Sequence, residues 1–136
     1  MAADGPVLRP LGTLGPPPDG TPWSADQLDR THPIDPDLKE RVITYLSGCP
    51  LFLAWMEYTR DELGDRFGVA GGSAIASDGL YYWRLDAIDY LREYDIAVPP
   101  EAIGHFESRQ WQPPEFDRPD YLAIYQKLED LLVPGF

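Results

Sequence analysis

Hydrophobic positions in this chain fall into helical stripes separated by proline and glycine stops, with two short apolar runs between them. Leu38, Val42, Tyr45 and Leu46 recur at i, i+4, i+7 and i+8, one buried stripe of a helix. Asp35-Pro36-Asp37 starts it: a carboxylate to cap, a proline for the first helical position, and an acid to complement the dipole. Gly48 and Pro50 end it. Leu51 to Tyr58 (LFLAWMEY) is a nearly continuous apolar run, which predicts a central strand covered on both faces. Thr59-Arg60-Asp61-Glu62 has capping-box spacing and predicts a short helical turn before Gly64.

The next run, Val69 to Ser77, meets Leu80 to Trp83 across Asp78-Gly79. Asp-Gly between two strand-like runs predicts a hairpin, with both turn residues at positive φ. Leu85 to Tyr94 reads as a second helix, with Leu85, Ile88 and Leu91 inward and Asp86, Asp89 and Glu93 mostly outward. Pro99-Pro100 opens a third helix, Glu101 to about Ser108. A last helix runs from near Asp117 to about Leu132, with Tyr121, Tyr125, Leu128 and Leu132 on one stripe. These elements predict an α+β fold: a small antiparallel sheet of three or so strands packed with about four helices.

Residues 1–33 differ in composition from the rest. Eight of the 15 prolines fall in the first 36 residues, including Pro16-Pro17-Pro18, which favours extended or loop conformations. We read this stretch as a Pro/Gly-rich arm preceding a single domain at 34–136. Ser24-Ala25-Asp26-Gln27 has the spacing for one helical turn within it. The arm either stays free or, given its apolar Leu8, Leu11, Leu14 and Trp23, lies across the domain.

Charge changes the picture more than size does. The 136 residues suffice for one core, but 11 Lys and Arg against 23 Asp and Glu give a net charge of −12. That field repels phosphate backbones and anionic lipid heads, so no nucleic-acid or membrane-surface partner is expected. It attracts and steers a basic protein partner instead. Cys49 is the one cysteine and cannot close an internal disulfide. With neither a signal-peptide pattern nor a long apolar run, the expected location is cytoplasmic.

Residues that could carry chemistry are sparse. Gly71-Gly72-Ser73 lacks the lysine of a phosphate loop and the second flanking glycine of a nucleophile elbow. Paired glycines there fit a strand start or bulge. His32, His105 and Cys49 sit at no ligand spacing, so no metal and no cofactor are expected. Asp86 and Asp89 share a helix face that Glu93 extends. Such a row is ordinarily solvated surface. It could also form, with Asp78 and Asp95, a negative patch for a basic partner. Tyr81, Tyr82 and Trp83 are consecutive, so a strand must send Tyr81 and Trp83 to one face and Tyr82 to the other. Either a second layer covers both faces, or one face exposes large rings as a binding surface.

Residues Ser77 to Ile103 resemble a segment of uncharacterised small acidic bacterial proteins. The shared features are the Asp78-Gly79 turn, Tyr81 and Trp83 on the strand, and Tyr90 and Tyr94 on the helix. Ile96, Val98, Pro99 and Glu101 match the exit that follows. The resemblance spans roughly residues 45 to 106, and Arg84 stands where such chains often carry proline. Some of those proteins are immunity-like, which implies a protein that binds and neutralises a toxin.

Two functions follow as expectations. One is a non-catalytic, immunity-like protein that masks a basic partner through Asp78, Tyr81, Tyr82, Trp83, Asp86, Asp89 and Glu93. The alternative is a small cofactor-free tailoring or accessory enzyme of a bacterial biosynthetic cluster. It would use His105, Asp86 and Asp89 as acid–base groups.

Overall fold

Among the described residues, three of the four α-helices begin where proline and local capping chemistry place them. In the computed structural model, which describes residues 7–133, α1 spans Pro36–Gly48 and Asp35 accepts the Asp37 N–H at 2.9 Å. α3 (Pro100–Ser108) follows Pro99, and α4 (Arg118–Leu132) is capped by Asp117, which accepts the Asp120 N–H at 3.0 Å. α2 (Ala87–Glu93) starts later than the apolar stripe predicts. Asp86, at its N-cap position, makes no side-chain cap because Arg84 and Thr59 hold its carboxylate.

Among the described residues, six short strands accompany the helices: β1 (Arg9–Pro10), β2 (Leu51–Leu53), β3 (Tyr58–Arg60), β4 (Gly68–Ala70), β5 (Ile75–Ser77) and β6 (Tyr81–Arg84). β1, β6, β5 and β2 form one sheet in that order, and β3 and β4 pair as a separate hairpin. The fold is α+β. Its main sheet is mixed instead of purely antiparallel, because the arm contributes β1 parallel to β6, with Arg9 opposite Tyr81.

The run Leu51 to Tyr58 is not a central strand. Its first three residues form the edge strand β2, Ala54 to Glu57 are exposed, and Tyr58 opens β3. Thr59 and Arg60 are strand residues, not a helical start. The Thr59 hydroxyl donates to Asp86 at 2.9 Å, and Asp61 takes up the turn's N–H groups instead. Gly71, at φ +71°, breaks the predicted strand 69–77 into β4 and β5. The β5–β6 hairpin forms as expected, with Ser77 opposite Tyr82. Only Gly79 of its turn has positive φ (+93°), since Asp78 instead accepts the Leu80 and Tyr81 N–H groups.

Each face of the main sheet has its own core. Tyr81 and Trp83 point into the larger one, with Val42, Tyr45 and Leu46 of α1, Leu91 of α2 and Phe106 of α3. Tyr82 points into the smaller one, with Phe52, Ile75 and the α4 residues Ile124 and Leu128. The arm supplies Leu11, Leu14, Ala25 and Leu28 to the first core and Leu8 to the second. Ser24 caps a single 3-10 turn, Ala25–Gln27, as its spacing predicts.

Candidate functional site

Tyr81, Tyr82 and Trp83 alternate between faces as the strand period requires, yet none is exposed: their accessibilities are 4%, 0% and 0%. β6 is an inner strand, α4 covers one face, and α1, α2, α3 and the arm cover the other. The ring-bearing docking strand expected from sequence is therefore corrected to a core strand.

Asp78 is buried too and forms no surface patch. Its Oδ1 accepts the N–H groups of Leu80 (3.0 Å) and Tyr81 (2.8 Å), and its Oδ2 accepts the Tyr45 hydroxyl at 2.7 Å. His105 Nε2 lies 3.2 Å from the same oxygen, without the alignment of a hydrogen bond. Cys49 Sγ donates to the Tyr45 carbonyl at 3.3 Å. Burial, followed by the Asp78 charge, pushes the Cys49 thiol up to about 12 and the Tyr45 phenol well above its usual value. Both groups stay protonated near neutral pH, so neither is primed as a nucleophile. The cluster ties α1, α3 and the β5–β6 turn together.

Asp86 is 1% exposed and is likewise no surface group. Arg84 holds it with two bonds, Nε to Oδ1 at 2.9 Å and Nη2 to Oδ2 at 2.7 Å. The same guanidinium lies 4.2 Å from the centre of the Trp23 ring, so Arg84 pins the arm to the hairpin. Asp89 is half-buried; burial raises its pKa while Arg92, 3.2 Å away, opposes the rise. Glu93 alone of the row is exposed. Among the described residues, neither hydrogen bond nor ion pair joins His105 to Asp86 or Asp89, so the acid–base trio is not assembled.

The exposed rings lie elsewhere. Trp55, Met56 and Tyr58 have accessibilities of 43%, 102% and 62%. Trp55 and Met56 border a groove of about 510 Å³, which Pro16, Pro17 and Trp23 of the arm face from the other side. Arg84 and Ser73 line it as well, and Glu57 puts a carboxylate on its margin. Beside it, Asp19 is held below the usual carboxylate range by the hydroxyl and N–H of Thr21. The apolar run Leu51 to Tyr58 conceals this patch in the sequence, because continuous hydrophobicity predicts burial along its whole length. The available signal was polar: Glu57 and Arg60 flank Tyr58, and a strand covered on both faces does not carry charges so close together.

Among the described residues, no three His, Cys, Asp or Glu side chains gather as a metal site, and no helix is long and apolar enough to cross a membrane. No protein-family model, curated protein or solved structure matches this chain.

Proposed function

We propose that this chain is a non-catalytic acidic interaction protein, immunity-like, that binds and masks a basic protein partner. The observation carrying this reading is the projecting Trp55–Tyr58 segment beside a groove, on a chain with net charge −12. Tryptophan and tyrosine are enriched where interfaces gain most of their energy, and methionine is enriched in interfaces generally. Trp55 and Met56 leave much of their surface to solvent, while the exposed Tyr58 ring rests on Gly68 of β4. The net charge steers a cationic partner from a distance, and the rings and groove then supply short-range contact. Residues 45 to 106 resemble uncharacterised small acidic bacterial proteins, some of them immunity-like, which is consistent with this reading.

The test is binding between the purified protein and the basic products of genes neighbouring its own, at low and high salt. We expect binding that weakens as salt rises. Replacing Trp55, Met56 and Tyr58 together by alanine should weaken it at least about tenfold, roughly 1.4 kcal/mol. The proposal fails if no such product binds at low salt, or if the triple variant, still folded, binds as tightly as the parent.

A further inference from the structure

A second concavity, of about 610 Å³, lies between the arm, α1 and the segment leading into α3. Its walls are latched by backbone chemistry. The Ala97 N–H donates to the Asp29 carbonyl at 2.9 Å, and the Asp29 N–H donates to Thr13 Oγ1 at 3.1 Å. At the arm end Gly12 adopts φ +53°, and a Cβ there would come within 3.0 Å of the Pro99 ring. Arm and exit segment thus meet as closely as a glycine allows. The volume is in the range of small-molecule sites, and the body is apolar, formed by Ile34, Leu38, Val98, Pro99 and Ile103.

Its polar groups are mostly of one sign. Asp29 and Asp35 line the cleft, and neither lysine nor arginine does. The nearest basic residues in sequence are engaged elsewhere. Arg30 lies over the Tyr94 ring at 5.2 Å, and Lys39 pairs with Asp95 at 3.2 Å. The Thr31 hydroxyl and N–H donate to Asp29 Oδ1 at 2.7 and 2.9 Å and hold its carboxyl at about 2. Asp29 is thus ionised throughout the physiological range. Its Oδ2 lies 3.2 Å from Nδ1 of His32, a side chain 82% exposed. Asp35 gives one oxygen to the α1 cap, and no cation pairs with it among the described residues.

We propose that this cleft binds a small amphiphilic amine, its apolar body against Ile34, Leu38, Val98 and Ile103 and its ammonium at the rim carrying Asp29 and Asp35. An apolar ligand without charge would gain only the burial term. An anion would meet two carboxylates, with no lysine or arginine among the described residues lining the cleft to offset them. The site is separate from the Trp55–Tyr58 groove, so it stands or falls independently of the function proposed above.

The probe is 4-phenylbutylamine, compared with 4-phenylbutanol and 4-phenylbutyrate near neutral pH, followed by the methyl NMR signals of the full chain. We expect saturable shifts confined to Ile34, Leu38, Val98 and Ile103. The amine should bind about fivefold tighter than the alcohol, the carboxylate weakest, since each exposed ion pair contributes modestly. The double variant Asp29→Asn, Asp35→Asn keeps one oxygen at each site for the Thr31 and Asp37 hydrogen bonds and puts an amide where Asp29 Oδ2 faces the exposed His32. It should lower amine affinity to that of the alcohol and leave the alcohol unchanged. Ile103→Trp, filling the cleft, should abolish both. Equal affinity for amine and alcohol, shifts centred on Trp55 and Met56, or no saturation by any of the three overturns the proposal.

Discussion

Asp61 is a buried carboxylate with no lysine or arginine side chain bound to it. Tyr94 donates its hydroxyl to Oδ2 at 2.5 Å, the Arg66 N–H donates to the same oxygen at 2.9 Å, and the Leu63 N–H donates to Oδ1 at 2.8 Å. Burial pushes its pKa up, but the Tyr94 hydroxyl and the N–H groups of Arg66, Leu63 and Gly64 outweigh it and hold it below the ordinary value. Tyr94 is itself raised, by desolvation and by donating to that carboxylate. A folded-state pKa below the unfolded one stabilises the fold fully above about pH 4, and this is lost as pH falls through the folded value. Tyr94→Phe removes the hydroxyl while leaving the ring under the Arg66 and Arg30 guanidinium groups. We expect the variant to lower the urea midpoint near neutral pH and to converge on the parent in acid. An equal deficit at both pH values would mean that the hydroxyl does not act through the ionised Asp61.

Elements in this fold are set by local chemistry at their ends and by distant partners along their faces. Glycines separate the two effects. Gly104 lies inside α3, exposed, with nothing within 4 Å of a prospective Cβ. Gly104→Ala should therefore stabilise the protein by about 0.5–1 kcal/mol through helix propensity and lost unfolded-state freedom. Gly72 is the opposite case: a Cβ there would run into Thr59 Oγ1 and come 3.1 Å from Asp86 Oδ2. Gly72→Ala should cost about 1–3 kcal/mol by displacing the Thr59–Asp86 bond that ties β3 to the start of α2. Thermal unfolding of the two variants checks both signs. The same division explains what could be read from sequence. Asp35, Pro36, Pro100 and Asp117 announce their helices because capping is a matter of adjacent residues. The alternation of Tyr81, Tyr82 and Trp83 was also legible, being a property of the strand itself. What covers their faces was not. Leu14 on one side and Leu128 on the other lie far away in the chain, and no periodicity within β6 reports them. The candidate docking surface was misplaced for the same reason: an apolar run announces hydrophobicity, not whether a partner element lies over it.

On the scale of the molecule, the proline-rich arm works as a structural layer that reaches both cores. Its strand β1 covers the edge that β6 would otherwise expose, with the Arg9 N–H donating to the Leu80 carbonyl at 3.0 Å and the Leu11 N–H to the Tyr82 carbonyl at 2.9 Å. Further along, the Tyr82 hydroxyl donates to the Pro16 carbonyl at 2.6 Å, and Trp23 packs on Tyr90 with ring centres 5.6 Å apart. Leu8, Leu11, Leu14 and Leu28 are each at most 7% exposed. Full burial of one such side chain is worth about 1.5–3 kcal/mol, so the four together are comparable with the roughly 5–15 kcal/mol that holds a domain folded. Removing them also opens the Trp83 and Tyr82 faces to water and leaves β6 an unpaired edge. A chain of residues 34–136 should therefore lose its cooperative thermal transition and elute as an expanded or aggregated species. If the shorter chain instead unfolds sharply, with a denaturant slope close to the parent's, the arm is an accessory strap over a core that is complete without it.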